Sequence, residues 1–226
     1  MAEVISAMVY DRRAYPKDFD RREPDEVRGT FWGDHPESLA PYVPTHLNIV
    51  HEMLRLAGAG PGDVVFDLGC GDGRILFSAV EEFDVDKAVG YDLSLDLLKS
   101  LKKKIIDNAI EGRIKIHNAN IMDADLSTAT IVTLYLTTSG NAKLRPKLEK
   151  ELKKGTRVVS HDFPIHGWVS DSIDGNPYTL GSHKMWLYRI PEAYQKGKKA
   201  QHTDEEERRW MQIRDAFTHR EKDNQE

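Results

Sequence analysis

The sequence predicts an α/β fold built on a mixed seven-stranded sheet, with helices on both faces and an antiparallel hairpin at its C-terminal end. Apolar, strand-like runs alternate with helical patterns between residues 63 and 163, which is typical of βαβ units around a parallel sheet. A glycine-rich turn follows the first of these runs. After Pro164 no long helical pattern precedes the apolar run 184–190, so the last strands must pair as antiparallel neighbours.

The individual elements follow from the spacing of apolar residues. Leu47, Val50 and Leu54 fall at helical spacing and predict a helix over about 45–57, which ends at the glycine- and proline-rich stretch 58–62. The pattern then predicts strands at 63–67, 87–92, 113–118, 130–136, 156–163 and 184–190, and helices at 73–82, 94–109 and 141–153.

Composition limits the partners and the compartment. The net charge of −5 is spread along the 226 residues, so no large basic surface is available for nucleic acid. The single cysteine, the charged first twenty residues and the lack of a long apolar run predict a reduced, cytoplasmic location without a membrane segment. We expect a monomer that does not bind nucleic acid.

Several other chemistries find no support in the sequence. His51 and Glu52 begin like a zinc-protease motif, but Arg55 stands where the second histidine would be needed. The other histidines show no paired spacing with cysteines, so no metal site is predicted. No GxSxG string is present for a hydrolase nucleophile.

The most informative string is DLGCGDGR at 67–74, which follows the first predicted strand. Glycines at this spacing allow a tight turn and bring backbone N–H groups and a helix N-terminus against a ligand. A dinucleotide-binding loop needs its third glycine at position 74, where Arg74 stands. The string resembles the first motif of the Rossmann-type S-adenosylmethionine (SAM) methyltransferases; a chance match or an NAD site is the alternative.

Two carboxylates lie at neighbouring strand ends. Asp92 ends the second strand, where a carboxylate can accept both ribose hydroxyls of a nucleoside. Asp67 ends the first strand and is predicted to hold the positively charged amino group of the methionine moiety. An ordinary solvated acid remains the alternative for Asp92.

The third and fourth strands add weaker candidates. Asn120 follows the third strand, where its amide oxygen could accept from the adenine amino group while Ile121 packs on the ring. A turn residue that satisfies local backbone is the alternative for Asn120. Tyr135 and Thr137 lie at the end of the fourth strand, beside the predicted methyl-donor position, although a tyrosine there often belongs to the core.

Three further groups of residues carry a more specific resemblance. They are PYVPT at 41–45, VTLYL at 132–136, and LRPKL at 144–148 followed by GTRVVSHDF at 155–163. With the glycine loop, they resemble the archaeal broad-specificity protein-lysine methyltransferases, akin to the mitochondrial ATP-synthase c-subunit lysine methyltransferase and the non-SET histone lysine methyltransferase. The resemblance implies a Rossmann-like class I methyltransferase that transfers a methyl group from SAM to the side-chain amine of lysine residues in proteins.

The resemblance also implies roles for residues. The segment 42–45 is expected to fold over SAM, and the loop glycines to line its methionine end. The family often has glutamate at the position of Asp92 and an acid near Asn120. The predicted cofactor-binding residues are Tyr42, Val43, Pro44, Thr45, Asp67, Gly69, Cys70, Gly71, Gly73, Asp92, Leu93, Asn120, Ile121 and Tyr135.

The acceptor lysine must lose its proton before it can attack, and an apolar, aromatic-lined channel would help by desolvation. The predicted mouth of that channel is formed by Tyr42, Tyr135, Phe163 and Trp168. No dedicated base is evident. Asp162, at the end of the fifth strand, could serve as one or could be a surface or capping acid, so the predicted catalytic residues are Tyr135 and Asp162.

These arguments divide the chain into an N-terminal arm (1–40), a methyltransferase domain (41–191) and a charged helical tail (192–226). A capping box at Thr203 and Glu206 predicts the tail helix, which either packs onto the domain or contacts a partner. Two other functions stay open: a SAM-dependent methyltransferase acting on RNA or a small molecule, and a non-catalytic SAM-binding module. A base-modifying enzyme often carries a motif such as NPPY after strand four, where this chain has YLTTSGN.

Overall fold

A computed structural model describes residues 37–172 and 175–194 of the chain. The described part contains four α-helices, seven strands and a short 3-10 helix, Ile121–Asp123. The predicted tail helix from Thr203 lies outside the described residues. The helices are α1 (Leu47–Ala57), α2 (Arg74–Glu81), α3 (Leu95–Asp107) and α4 (Thr138–Glu151). The strands are β1 (Val64–Leu68), β2 (Lys87–Asp92), β3 (Ile114–Asn118), β4 (Ile131–Leu134), β5 (Arg157–His161), β6 (Tyr178–Leu180) and β7 (His183–Arg189).

The strands form one sheet in the order β3-β2-β1-β4-β5-β7-β6. The first five strands are parallel, and β7 pairs antiparallel with both β5 and β6. The predicted mixed seven-stranded sheet with a terminal hairpin is therefore confirmed. The strand order reverses direction between β1 and β4, and ligands of such sheets bind at the carboxyl ends of the strands beside this switch point.

Alternation along the strands builds one core on each face of the sheet. Val65 packs with the buried faces of α1, α2 and α3, whereas its neighbour Phe66 packs with α4 and the loops around Leu126 and Trp168. Burial of both faces explains why the central strands are almost continuously apolar. Leu39 and Ala40 pack against the second core and Ala193 is buried within it, so the packed part extends slightly beyond residues 41–191.

Two of the boundaries that differ from the sequence pattern have a clear local cause. The predicted strand 156–163 ends at His161, because Asp162 adopts a left-handed backbone conformation with φ of 57°. The predicted helix 141–153 begins earlier, at Thr138, because the Thr137 hydroxyl accepts a hydrogen bond from the N–H of Gly140 and caps it. Both differences arise at the carboxyl edge of the sheet.

Candidate active site

The glycine loop leaves β1 in a conformation that glycine favours. Gly69, Gly71 and Gly73 all have positive φ, at 96°, 51° and 80°. The N–H groups of Gly69 and Cys70 donate to the carbonyl of Tyr91 on β2, at 2.9 and 3.0 Å. The loop is thus tied to the neighbouring strand, and it delivers the chain to the N-terminus of α2.

Asp92 lies where the sequence predicted, at the end of β2 and against the glycine loop. One carboxylate oxygen accepts the N–H of Gly71 and the other accepts the N–H of Ser94, both at 2.8 Å. Burial raises the pKa of Asp92, and the N–H groups of Ser94 and Gly71 oppose that rise. A carboxylate offers about four lone-pair directions, so two backbone donors leave capacity for a pair of ribose hydroxyls.

Asp67 is a buried carboxyl near the end of the central strand β1, at the same edge of the sheet. The Thr133 hydroxyl on β4 donates to it at 2.8 Å. Burial raises the pKa of Asp67 to about 8, despite that hydrogen bond, and the nearby Asp92 and Asp72 carboxylates act in the same direction. An ammonium group placed beside Asp67 would reverse this shift, because an opposite charge favours the ionised carboxylate.

The segment 37–46 crosses this edge of the sheet. The ring of Tyr42 lies directly over Gly71, and the Asp72 carboxylate and Arg74 guanidinium lie near its hydroxyl. Burial, reinforced by Asp72, raises the pKa of Tyr42. Arg74 also donates to the carbonyl of Thr45 and binds Asp72 through Nε and Nη2. Arg74, which the sequence marked only as a missing glycine, thus fixes the segment to the loop.

The same segment reaches two other strand ends. The Asn120 side-chain NH2 donates to Glu37 at 3.0 Å, and its amide oxygen accepts the N–H of Met122 at 2.9 Å. The Thr137 hydroxyl donates to the carbonyl of Leu39 at 2.8 Å. Asn120 therefore makes the local turn bond that was its alternative interpretation, and its contact with adenine stays a prediction, as does that of the buried Ile121.

Tyr135 follows β4 and stands within an aromatic group. Its ring centroid lies 4.0 Å from that of His161 and 6.4 Å from that of Phe163. Trp168, which we expected at the same mouth, instead packs against Tyr188 in the second core and donates its indole N–H to Glu149. Tyr42 lies over the glycine loop and not beside Tyr135. Of the four aromatic residues predicted at the channel, only Phe163 lies beside Tyr135, together with His161.

Asp162 follows β5 and is held from two sides. One carboxylate oxygen accepts the backbone N–H of Lys184 at 2.9 Å, and the other lies 3.0 Å from Nδ1 of His183. Burial alone would raise the pKa of Asp162, but the His183 hydrogen bond, the charge of His161 and the Lys184 N–H bring it below its ordinary value. His161 and His183 were not predicted as neighbours of this carboxylate.

These contacts fit SAM on two counts. The buried Asp67 carboxyl, with its raised pKa, suits an ammonium group. The Asp92 carboxylate accepts the N–H of Gly71, where a side chain would meet the ring of Tyr42. The residues that would hold the cofactor are those of the glycine loop, Asp67, Asp92 and the segment around Tyr42. When bound, SAM supplies a methyl group carried on a positively charged sulfur.

Comparison with known proteins agrees with this geometry. The family model of the ANTKMT methyltransferase domain matches residues 67–172, which include the glycine loop, Asp92, Tyr135 and Asp162. A protein-lysine N-methyltransferase of Saccharolobus islandicus is 45% identical over 156 residues, which cover 67% of this chain and 94% of that protein. The adenine nucleotide translocase lysine N-methyltransferase of Mus musculus is 30% identical over 150 residues, and the alignment covers 66% of this chain and 63% of the mouse protein.

A solved structure is similar over almost its whole length. It is described as an RNA methyltransferase from Salinibacter ruber in complex with S-adenosyl-L-homocysteine, and it is 37% identical, with a TM-score of 0.64. The match covers 69% of this chain and 98% of that one. The predicted resemblance, fold and cofactor are thus confirmed, and the chain belongs to the protein-lysine methyltransferase family of Rossmann-like class I enzymes that use S-adenosylmethionine.

Proposed function

We propose that this protein transfers a methyl group from SAM to the side-chain amine of lysine residues in protein substrates. The observation that carries the proposal is the 45% identity to the Saccharolobus protein-lysine N-methyltransferase over 94% of that protein. The family model matches residues 67–172, which include Asp67, Asp92 and Tyr135. The assignment of protein lysine, and not merely of methyl transfer, rests on this relative.

The chemistry of the acceptor explains the surroundings of Tyr135. A lysine with a pKa of about 10.4 must lose its proton, which costs about 4.6 kcal/mol at pH 7 without assistance. The ring of Tyr135 is partly exposed and lies against the buried rings of His161 and Phe163, so an ammonium group placed beside it is poorly hydrated and its pKa falls. Tyr135 is therefore proposed to orient and desolvate the acceptor amine.

Asp162 is the second proposed catalytic residue, and its role must be a modest one. Its pKa lies below the ordinary value, so the carboxylate is ionised at neutral pH and binds a proton weakly. It can attract the acceptor ammonium toward the site. We propose that desolvation and the solvent remove most of the proton, and that Asp162 contributes charge.

We further propose that the protein acts as a cytoplasmic monomer on other proteins and does not bind nucleic acid. The evenly distributed charge, with 32 basic and 37 acidic residues, supports the choice of protein over nucleic acid. The single cysteine, Cys70, is buried within the glycine loop and unpaired, which suits a reducing compartment. Among the described residues, no helix combines the length and apolar character needed to cross a membrane.

RNA is the second candidate acceptor, because the Salinibacter structure is described as an RNA methyltransferase. A non-catalytic SAM-binding module is the third interpretation. A single experiment separates all three. The purified full-length protein is incubated with isotopically labelled SAM and a cell extract, with and without ribonuclease, and labelled species are identified by mass spectrometry.

The expected result is label on lysine Nε of proteins, insensitive to ribonuclease and reduced, at subsaturating SAM, with the Asp92→Ala variant. Label confined to RNA or to a small metabolite would overturn the lysine assignment and leave the cofactor assignment intact. SAM binding without any transfer, across extracts from several sources, would favour the non-catalytic module.

A further inference from the structure

We propose that His161, Asp162 and His183 form a binding site for one divalent transition-metal ion, at the end of β5 and next to Tyr135. The site is named here the HDH cluster. It is separate from the residues that would hold SAM, and its occupancy does not depend on which acceptor the enzyme methylates. Nothing in the spacing of these residues along the sequence predicts it.

Three potential ligand atoms of the HDH cluster converge on one point. His161 Nε2 lies 3.0 Å from His183 Nδ1, His183 Nδ1 lies 3.0 Å from Asp162 Oδ2, and His161 Nε2 lies 3.4 Å from Asp162 Oδ2. Ligands bound at about 2.1 Å in tetrahedral or octahedral geometry lie about 3.0–3.4 Å from one another. The three atoms therefore already have the separations that adjacent ligands of one ion require.

The fold brings these atoms together by two devices. In a strand, consecutive side chains point to opposite faces, so His161 and Asp162 would normally diverge. The left-handed backbone of Asp162 breaks that alternation and lets both side chains face the same point. The antiparallel pairing of β5 with β7, in which His161 lies opposite Met185, then brings His183 to the same place across 22 residues of sequence.

Convergence on one atom favours a metal over a proton relay. A relay passes a proton from one ring nitrogen to the other, whereas here the same nitrogen of His183 faces both Asp162 and His161. That nitrogen carries either one proton or one lone pair, so it cannot make a full hydrogen bond to both neighbours. A divalent cation satisfies all three electron-rich atoms at once.

The chemistry of the ligands indicates the class of ion. Two imidazole nitrogens and one carboxylate oxygen suit zinc or ferrous iron, whereas magnesium and calcium prefer oxygen ligands only. The other oxygen of Asp162 accepts the N–H of Lys184, which is the kind of supporting bond that orients a metal-binding carboxylate. His161 and Asp162 are 1% exposed, and His183, at 28%, gives the ion a route from solvent.

The test uses the full-length protein, produced without a histidine tag, stripped with EDTA and dialysed. ZnCl2 is titrated against a chromophoric competitor, and CoCl2 is used to record the d–d absorption of the bound ion. We expect one ion per chain with a micromolar or lower Kd, and a higher Tm with zinc because the ion binds the native state. His183→Asn should weaken binding at least about tenfold, since asparagine retains a hydrogen-bond donor but is a poor zinc ligand. His51→Asn is the matched control, because His51 lies on α1 and pairs with Glu82.

Two outcomes would overturn the proposal. One is a wild-type protein that binds no stoichiometric zinc and shows no rise in Tm. The other is a folded His183→Asn variant that binds as tightly as the wild type, which would make the cluster a hydrogen-bonded support of the β5–β7 pairing. Asp162→Asn provides a second variant, in which zinc affinity should also fall while the Lys184 N–H keeps an acceptor. All readouts are independent of methyl transfer, so failure here leaves the proposed function untouched. Success would assign Asp162 as a metal ligand in place of its proposed role of attracting the acceptor ammonium.

Discussion

The ring of Tyr42 lies so close over Gly71 that a Cβ on residue 71 would stand 2.5 Å from Cε2 of the tyrosine. This contact joins the segment 37–46 to the cofactor loop through van der Waals packing, in addition to the Arg74 hydrogen bonds. It also gives Gly71 two reasons to be glycine, because its φ of 51° is unfavourable for residues with a side chain.

Gly71→Ala should therefore weaken SAM binding at least about tenfold, since the new methyl group displaces Tyr42 and strains the loop by about 1–2 kcal/mol. Calorimetric titration with SAM measures the loss. Gly60→Ala is the matched control, because nothing lies within 4 Å of a Cβ there and its φ is not positive. Unchanged SAM affinity in Gly71→Ala would mean that the segment has no part in cofactor binding.

Asp92→Ala should weaken SAM binding by about 1–3 kcal/mol, because ribose hydroxyls lose a charged acceptor and the Gly71 N–H loses its partner. The control is Asp96→Ala, because Asp96 is an exposed acid of α3 that forms a surface pair with Lys99. Equal affinity of wild type and Asp92→Ala, or tighter binding of NAD than of SAM by the wild type, would contradict the cofactor assignment.

SAM binding should release a proton below about pH 8. Asp67 has a pKa of about 8 in the free protein, and an ammonium group beside it favours the ionised form. SAM affinity should rise with pH up to about 8, by at most about tenfold per unit, and then fall as the SAM amino group, with a pKa of about 7.7–8.0, loses its charge. Calorimetric titration in buffers of different ionisation enthalpy measures the number of protons released per SAM bound. Asp67→Asn should remove the release, and a wild type that releases none would place the ammonium elsewhere.

The same carboxyl predicts how stability depends on pH without ligand. Its folded-state pKa is raised, so between about pH 4 and pH 8 the folded protein holds a proton that the unfolded chain has lost. This contribution to stability is complete below about pH 4 and is lost as pH rises through about 8. Urea unfolding of wild type should show that decline, and Asp67→Asn should flatten it.

Tyr135→Phe should retain most activity, whereas Tyr135→Ala should lose it, if the ring shapes the acceptor site beside His161 and Phe163. Values of kcat/KM for a labelled protein substrate separate the two, with SAM affinity as the control. A large loss in Tyr135→Phe would assign the chemistry to the hydroxyl group instead.

With saturating SAM and subsaturating protein substrate, the methylation rate should rise about tenfold per pH unit through about 7–9, while the neutral amine is scarce. This slope should persist when Asp162 is replaced, because its lowered pKa makes it a weak base. A flat profile in the wild type would point to an efficient base or to an acceptor other than an amine.

The parts of the site that the sequence predicted are those encoded locally. Local sequence is enough to recognise the turn at 69–73 and the carboxylates Asp67 and Asp92, because strand ends and glycine turns are defined by a few adjacent residues. The contacts that escaped prediction join distant residues. Thr137 binds Leu39 across 98 positions, and periodicity does not encode that distance.

The HDH cluster was not predicted either, because His183 is distant in sequence from the other two residues and the three match no known metal-binding spacing. Metal motifs are sought as short paired spacings, yet His161 and His183 meet only because β7 runs antiparallel to β5. The predicted position of Trp168 at the acceptor channel was wrong. An aromatic residue in the loop after β5 can pack into the core or line the channel, and Trp168 packs into the core formed with α4. The left-handed backbone conformation of Asp162, with φ of 57°, also could not be predicted, because the residue type alone does not specify it.

The route of the segment 37–46 bears on which step of the catalytic cycle is slowest. Contacts at Asn120, Thr137, Gly71 and Arg74 fasten it across the ends of β3, β4 and β1. With SAM placed beneath the segment, as we propose, the spent cofactor would leave only after several of these contacts break together. Product departure in covered sites often limits kcat. We therefore expect a pre-steady-state burst of methylated product in the first cycle, followed by a slower phase that Tyr42→Ala accelerates. A wild type without a burst would show that the methyl transfer itself is the slow event.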